Sequence, residues 1–133
     1  MLWWQKQLIL PQRVRDVGVY DRCFWLSEPI YIAVTGRKSE CPTQQLWRGI
    51  NDLWAENPYI IFCMTDLAVM RENTYAAGRP RNENTDPQRD RSIDFLYWAF
   101  FGIWSEASDR VWQYDYNQLK ADDALHWLAR MGF

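Results

Sequence analysis

Apolar and polar residues alternate from position 2 to position 10. Leu2, Trp4, Lys6, Leu8 and Leu10 fall on one side, and Trp3, Gln5, Gln7 and Ile9 on the other. A two-residue period is that of a strand, and Pro11 ends it. Residues 17–26 alternate again, with Val17, Val19, Cys23 and Trp25 on a shared face and Asp21 as the intruder. After Pro29 the run Ile30 to Thr35 is almost wholly apolar and β-branched or aromatic, which predicts a third strand. Gly36-Arg37-Lys38-Ser39 then turns the chain.

The period changes next. Thr43 is a good N-cap for a helix over residues 44–56. Leu46, Trp47, Ile50, Leu53 and Trp54 follow the i, i+3, i+4, i+7 spacing of one buried face. Asn57-Pro58 ends this helix, because a residue before proline avoids the helical region. Tyr59 to Met64 is a continuous apolar run expected to be a buried strand. Strand, helix and strand over residues 30–64 predict a crossover joining a parallel pair.

Thr65 or Asp66 caps a short helix to about Ala77, stopped by Gly78. Asp86-Pro87 supplies an N-cap and an N1 proline for a longer helix to about Glu106. Ile93, Leu96, Tyr97, Phe100, Phe101 and Trp104 form its main stripe, while Phe95, Trp98 and Ile103 fall elsewhere. A helix apolar nearly all round is either central to a fold or covered by a partner. Residues 110–116 alternate, with Trp112, Tyr114 and Tyr116 on one face. Asp122-Asp123 start a last helix with Ala121, Ala124, Leu125 and Leu128 inward, and Gly132 closes it. The pattern gives a single α+β domain over residues 1–133. It has a mixed sheet of about five strands, three to four helices, and one central apolar helix near residues 87–106.

Composition sharpens this reading at one point. Nine Trp, seven Tyr and six Phe make the 133-residue chain 17% aromatic. Indoles dominate both cores and recognition surfaces. A domain of this size needs only a few for its interior, so the surplus points to contact with another large molecule. The formal net charge is −2, against nucleic acid held by bulk phosphate attraction. The N-terminus lacks the charged and apolar regions of a secretory signal, and the longest charge-free apolar run, residues 95–104, is too short to span a bilayer. Cys23, Cys41 and Cys63 are odd in number and have no CxxC spacing, which suits reduced thiols and a cytoplasmic setting. Cys41, before Pro42 in a polar stretch, is expected to be the exposed one.

The chemistry-bearing candidates are sparse. His126 is the only histidine, with Asp122 one turn before it and Arg130 one turn after. A carboxylate at i−4 can orient an imidazole for base work, but no nucleophile stands nearby. Thr35-Gly36-Arg37-Lys38-Ser39 has one glycine where a phosphate loop needs more. Asp52 with Glu56, and Asp90 with Asp94, are i, i+4 carboxylate pairs without a partner motif. Within residues 78–91, Arg79, Arg81, Arg89 and Arg91 suit bidentate binding of phosphates or carboxylates. Interleaved Glu83, Asp86 and Asp90 compete for them. Trp112, Tyr114 and Tyr116 form a row able to stack bases or sugars or to anchor a protein. Trp3 and Trp4 cannot both face one core from one strand, so one of them, like Trp98, is left for an interface.

Two pairs of short strings resemble known families. Trp3-Trp4-Gln5-Lys6 and Asn82-Glu83-Asn84-Thr85-Asp86-Pro87 resemble pieces of a family of thiamin-phosphate-synthase-like proteins, without the His-containing segment and Trp-Gln-Gly tail of that family. Trp25-Leu26-Ser27-Glu28-Pro29 and Thr65-Asp66-Leu67-Ala68 resemble a family of small phage proteins, without its later His-Asp pair. Neither carries a residue role to this chain.

The functional expectation is a non-enzymatic protein-binding module of bacterial or phage origin, either a small acidic inhibitor or immunity-type protein or an assembly protein. Its partner is another protein with a basic surface, and homo-oligomers are compatible with it. Arg79, Arg81, Arg89, Arg91, Trp112, Tyr114, Tyr116, Trp3 and Trp98 are the candidate binding residues. No catalytic residue, metal ligand or cofactor is assigned. The alternatives are a small enzyme with a site of scattered Asp66, Asp90, Arg89 and His126, and an aromatic-platform binder of a small molecule or single-stranded nucleic acid.

Overall fold

The apolar run that follows Cys23 folds as a helix. In the computed structural model, which describes residues 12–14, 17–19, 23–76 and 87–133, helix α1 spans Phe24–Thr35. Its first turn is closed by Ser27 N–H donating to the Cys23 carbonyl at 3.1 Å. Its end is closed by left-handed Gly36, whose N–H donates to the Ile32 carbonyl at 2.9 Å. Glycine adopts that conformation at no steric cost, which makes it a helix stop as readily as a turn residue. Phe24, Trp25, Glu28 and Ile32 fall on one helical arc. A carboxylate within that arc hides the 3.6-residue period, and Pro29 within the helix imitates a strand opening.

This helix overturns the expected sheet. Among the described residues there are five helices and two separate two-stranded ladders, and no mixed sheet of five strands forms. Strand β1 (Gln12–Val14) pairs antiparallel with β2 (Val17–Val19). The strand expected over residues 2–10 lies outside the described residues. The crossover expected over residues 30–64 is absent because its first strand is part of α1. The chain is helix-rich with little sheet, and its contacts divide into two compact units, Met1–Glu56 and Asn57–Phe133.

In the first unit α1 packs with α2 (Thr43–Glu56). The core is Phe24, Trp25, Cys41 and Leu46, joined by the half-buried Cys23, Ile32, Ile50 and Leu53. The Phe24 ring meets Trp25 edge-on, with centroids 5.1 Å apart. Trp25 lies so close over Gly49 that a Cβ built there would overlap the indole. A glycine inside a helix costs about 1 kcal/mol against alanine, and here the missing side chain is the space that Trp25 fills. That seating decides which way α2 faces. Leu46 and Gly49 are buried, while Trp47 and Trp54, expected inward, are exposed.

In the second unit β3 (Ile60–Cys63) pairs in parallel with β4 (Val111–Tyr114), with Ile60 opposite Val111 and Cys63 opposite Tyr114. Parallel strands need a long return, supplied by α3 (Leu67–Ala76) and α4 (Pro87–Ala107). Asp66 starts α3, its Oδ1 accepting the Ala68 N–H at 2.9 Å, and Arg71 Nη2 donates to the Pro87 carbonyl at 3.0 Å. Phe62 meets Phe101 edge-on at 5.6 Å, and Trp104 is buried. The last helix, α5 (Ala121–Arg130), buries Trp127, which stacks on Trp112 at 5.4 Å and 11°. The inward face of α5 is set by Trp127 with half-buried Ala124 and Leu128. Ala121 and Leu125, expected inward, are exposed instead.

Gly49→Ala should destabilise the chain by about 1–3 kcal/mol, the usual cost of forcing a methyl group into a filled core. Urea titration followed by far-UV circular dichroism measures this. A stabilised variant would contradict the seating of Trp25.

Candidate protein-binding surface

Of the nine tryptophans, Trp25, Trp104 and Trp127 are buried, and Trp112 is half-buried with one face stacked on Trp127. Trp47, Trp54 and Trp98 are exposed, at 60%, 46% and 37%. Trp47 and Trp54 are seven residues apart on α2, two turns up the same side, with Asn51 between them. Asp52 and Glu56 are exposed on the same helix. The inner face of α2 is held by Leu46 and Gly49, so the two indoles stand on a fixed element. On α4, Phe95 (70%) and Ile103 (55%) are exposed together with Trp98. A helix expected at the centre of the fold therefore leaves one side open, and only Trp104 is fully buried among its residues.

The expected binding residues distribute unevenly. Arg89 and Arg91 are exposed in the first turns of α4, and Arg91 Nε donates to the Pro87 carbonyl at 3.4 Å. Trp3, Arg79 and Arg81 lie outside the described residues. Trp112 and Tyr114 are on β4, with ring centroids 5.8 Å apart and planes tilted by 39°. Tyr116, beyond the end of β4, is exposed. The Tyr114 hydroxyl donates to the Leu119 carbonyl at 3.4 Å.

The residues proposed for enzymatic chemistry are carried at three different elements. Asp66 serves the start of α3, and Asp90 is half-buried in the first turn of α4. His126 is exposed on α5, where Trp112, Leu119, Asp123, Ala129 and Arg130 join it around an open hollow of about 610 Å³. Among the described residues no group of three or more His, Cys, Asp or Glu side chains is arranged to hold a metal ion, and no helix is long and apolar enough to cross a membrane.

Among the described residues four titratable groups depart from their ordinary values, Asp94, Cys23, Cys41 and Tyr116, the last raised chiefly by burial. Burial, reinforced by the Asp66 carboxylate, pushes the Asp94 pKa up. A hydrogen bond from the Trp98 side chain and the charge of Arg71 pull it partly back. The thiols divide differently from the sequence expectation. Cys41 is buried in the first core and Cys63 is exposed at the end of β3. A small thiol is a good core residue, and Phe24, Trp25 and Leu46 cover Cys41 despite its polar sequence neighbours. Burial raises the Cys23 thiol pKa, and burial with the Glu28 carboxylate raises that of Cys41. Glu28 itself is 5% exposed, with Arg37 Nη1 2.6 Å from its Oε1. That contact is an ion pair outside hydrogen-bond angles.

Comparison with protein-family models, curated proteins and solved structures finds no match to this chain.

Two outcomes follow from these environments. Brief iodoacetamide treatment of the folded chain at neutral pH should label Cys63 first and reach Cys23 and Cys41 only after denaturation, as peptide mass spectrometry reads. Early labelling of Cys41 would contradict its burial. Asp94, its folded-state pKa raised, stabilises the fold only while protonated. That contribution is present below the ordinary aspartate pKa of about 3.9 and lost as pH rises through the raised value. Asp94→Asn should therefore raise the urea midpoint at pH 7, with the gain vanishing near pH 3.

Proposed function

We propose that the chain is a non-enzymatic protein-binding module whose contact face includes the outer side of α2. The observation that carries this reading is the exposed pair Trp47 and Trp54 on a helix anchored from behind by Gly49. Leaving two indoles in water forgoes burial worth about 1.5–3 kcal/mol for a large apolar side chain. A partner that covers them recovers that stabilisation, and tryptophan leads the residues that dominate binding energy at interfaces. Their seven-residue spacing suits a groove that reads one side of a helix.

The partner chemistry follows from charge. A net charge of −2, with Asp52 and Glu56 exposed on the same helix, favours a protein surface with an apolar groove and a basic rim. Inhibition of a basic protein, or assembly with one, fits a module that supplies contact area and no catalytic set. Three cysteines outside any disulfide favour the cytoplasm as its setting. Arg79, Arg81, Arg89 and Arg91 remain candidates for a second contact, with carboxylates on the partner.

The test is affinity capture from cells of its source, run in parallel with wild-type chain and the Trp47→Ala, Trp54→Ala double variant, followed by titration of the recovered protein. The wild type should retain one protein reproducibly. The double variant should bind it on the order of a hundredfold more weakly with little change in its own urea midpoint, because neither indole is buried. Equal binding by both chains would remove α2 from the interface.

A further inference from the structure

The open side of α4 is self-complementary. At about 100° per residue, Arg91, Phe95, Trp98, Ala99, Gly102 and Glu106 share one face of this helix. Phe95 and Trp98 are the exposed apolar knobs, at 70% and 37%. Gly102 is the matching gap, since a Cβ built there meets no heavy atom within 4 Å. Arg91 closes the face at one end and Glu106 at the other. Both are exposed, and neither makes an ion pair with another described residue. Trp98 is pre-set, with a side-chain hydrogen bond to Asp94 and edge-on contact with Phe101 at 6.2 Å.

We infer that this face binds a second copy of the chain, α4 against α4 in antiparallel orientation, about a two-fold axis crossing the helix between Trp98 and Ala99. That axis places Phe95 over the partner's Gly102, Trp98 over the partner's Ala99, and Arg91 against the partner's Glu106. Each contact occurs twice, as a two-fold interface requires. Large residues thus fall on small ones, which lets the helices approach to the usual 8–10 Å or so. Opposite charges meet at both ends of the apolar strip. A parallel arrangement would set Arg91 on Arg91 and Glu106 on Glu106, so the charges also select the direction. Any partner other than a second copy would have to reproduce the same spacing of gap, knob and charge, which α4 already carries.

Sedimentation velocity over a wide range of chain concentration tests this. The wild type should pass from monomer to dimer as concentration rises. Arg91→Glu and Glu106→Arg should each weaken the dimer by on the order of tenfold or more, and the two changes combined in one chain should restore it. Gly102→Leu fills the gap required by Phe95 and should abolish the dimer. It removes a mid-helix glycine from open space, so helicity by circular dichroism should hold or rise and show that the loss is not unfolding. Trp47→Ala with Trp54→Ala should leave the dimer unchanged, which separates this proposal from the role of α2. A wild type that stays monomeric at every concentration, a dimer that survives Gly102→Leu, or a double charge reversal no stronger than either single one would overturn it.

Discussion

The placement of the Trp25 indole over Gly49 orients everything that the first unit shows to solvent. An indole is the largest side chain available to a core, and a helix can take one flat against its axis only where it has no side chain of its own. Gly49 is that position. With the ring seated there, the inner arc of α2 is Leu46, Gly49, Ile50 and Leu53. Trp47 and Trp54 lie roughly 80–100° away from Leu46 around the helix, too far to reach the same core. The packing that buries one tryptophan is the packing that exposes two others.

The second unit shows the same division by other means. Its aromatic residues pair with one another: Phe62 with Phe101, Trp112 with Trp127, and Tyr59 with Trp127 and Phe133. Arg110 covers Tyr59 with its guanidinium carbon 4.6 Å from the ring centre and donates from Nη1 to the Asn57 carbonyl at 3.0 Å. Of the row Trp112, Tyr114 and Tyr116, Trp112 gives one face to Trp127, Tyr114 tilts against Trp112, and Tyr116 is exposed. One side of α4, with Phe95, Trp98 and Ile103, is left open as well. Among the described residues the exposed indoles, Trp47, Trp54 and Trp98, stand on helix faces, where rigid spacing can be read by another helix or groove.

Much of the second half was legible from periodicity. β3, α3, α4, β4 and α5 fall within a few residues of the sequence expectation, because strong turn and cap signals such as Asn57-Pro58, Asp66 and Pro87 bound each run. The first half misled for physical reasons. In α1 a buried carboxylate, paired with Arg37, sits where the pattern asks for an apolar residue, and Pro29 and the β-branched residues favour a strand reading. Tertiary packing against α2 outweighed those local preferences. On α2 the apolar spacing fitted two adjacent arcs equally well, one centred on the indoles and one on Gly49. The signal that decides between them was present as an otherwise costly glycine in mid-helix. The exposure of Trp98 was legible, since a helix apolar on every side has more apolar surface than one core can cover.

The most direct test of the account is the solvent accessibility of individual tryptophans in the dilute chain. Hydroxyl-radical footprinting with peptide mass spectrometry measures it residue by residue. Trp47 and Trp54 should oxidise rapidly while Trp25, Trp104 and Trp127 stay protected until the chain unfolds. Protection of Trp47 and Trp54 equal to that of Trp25 would show that these rings belong to an interior, and the reading of this chain as a docking protein would fail.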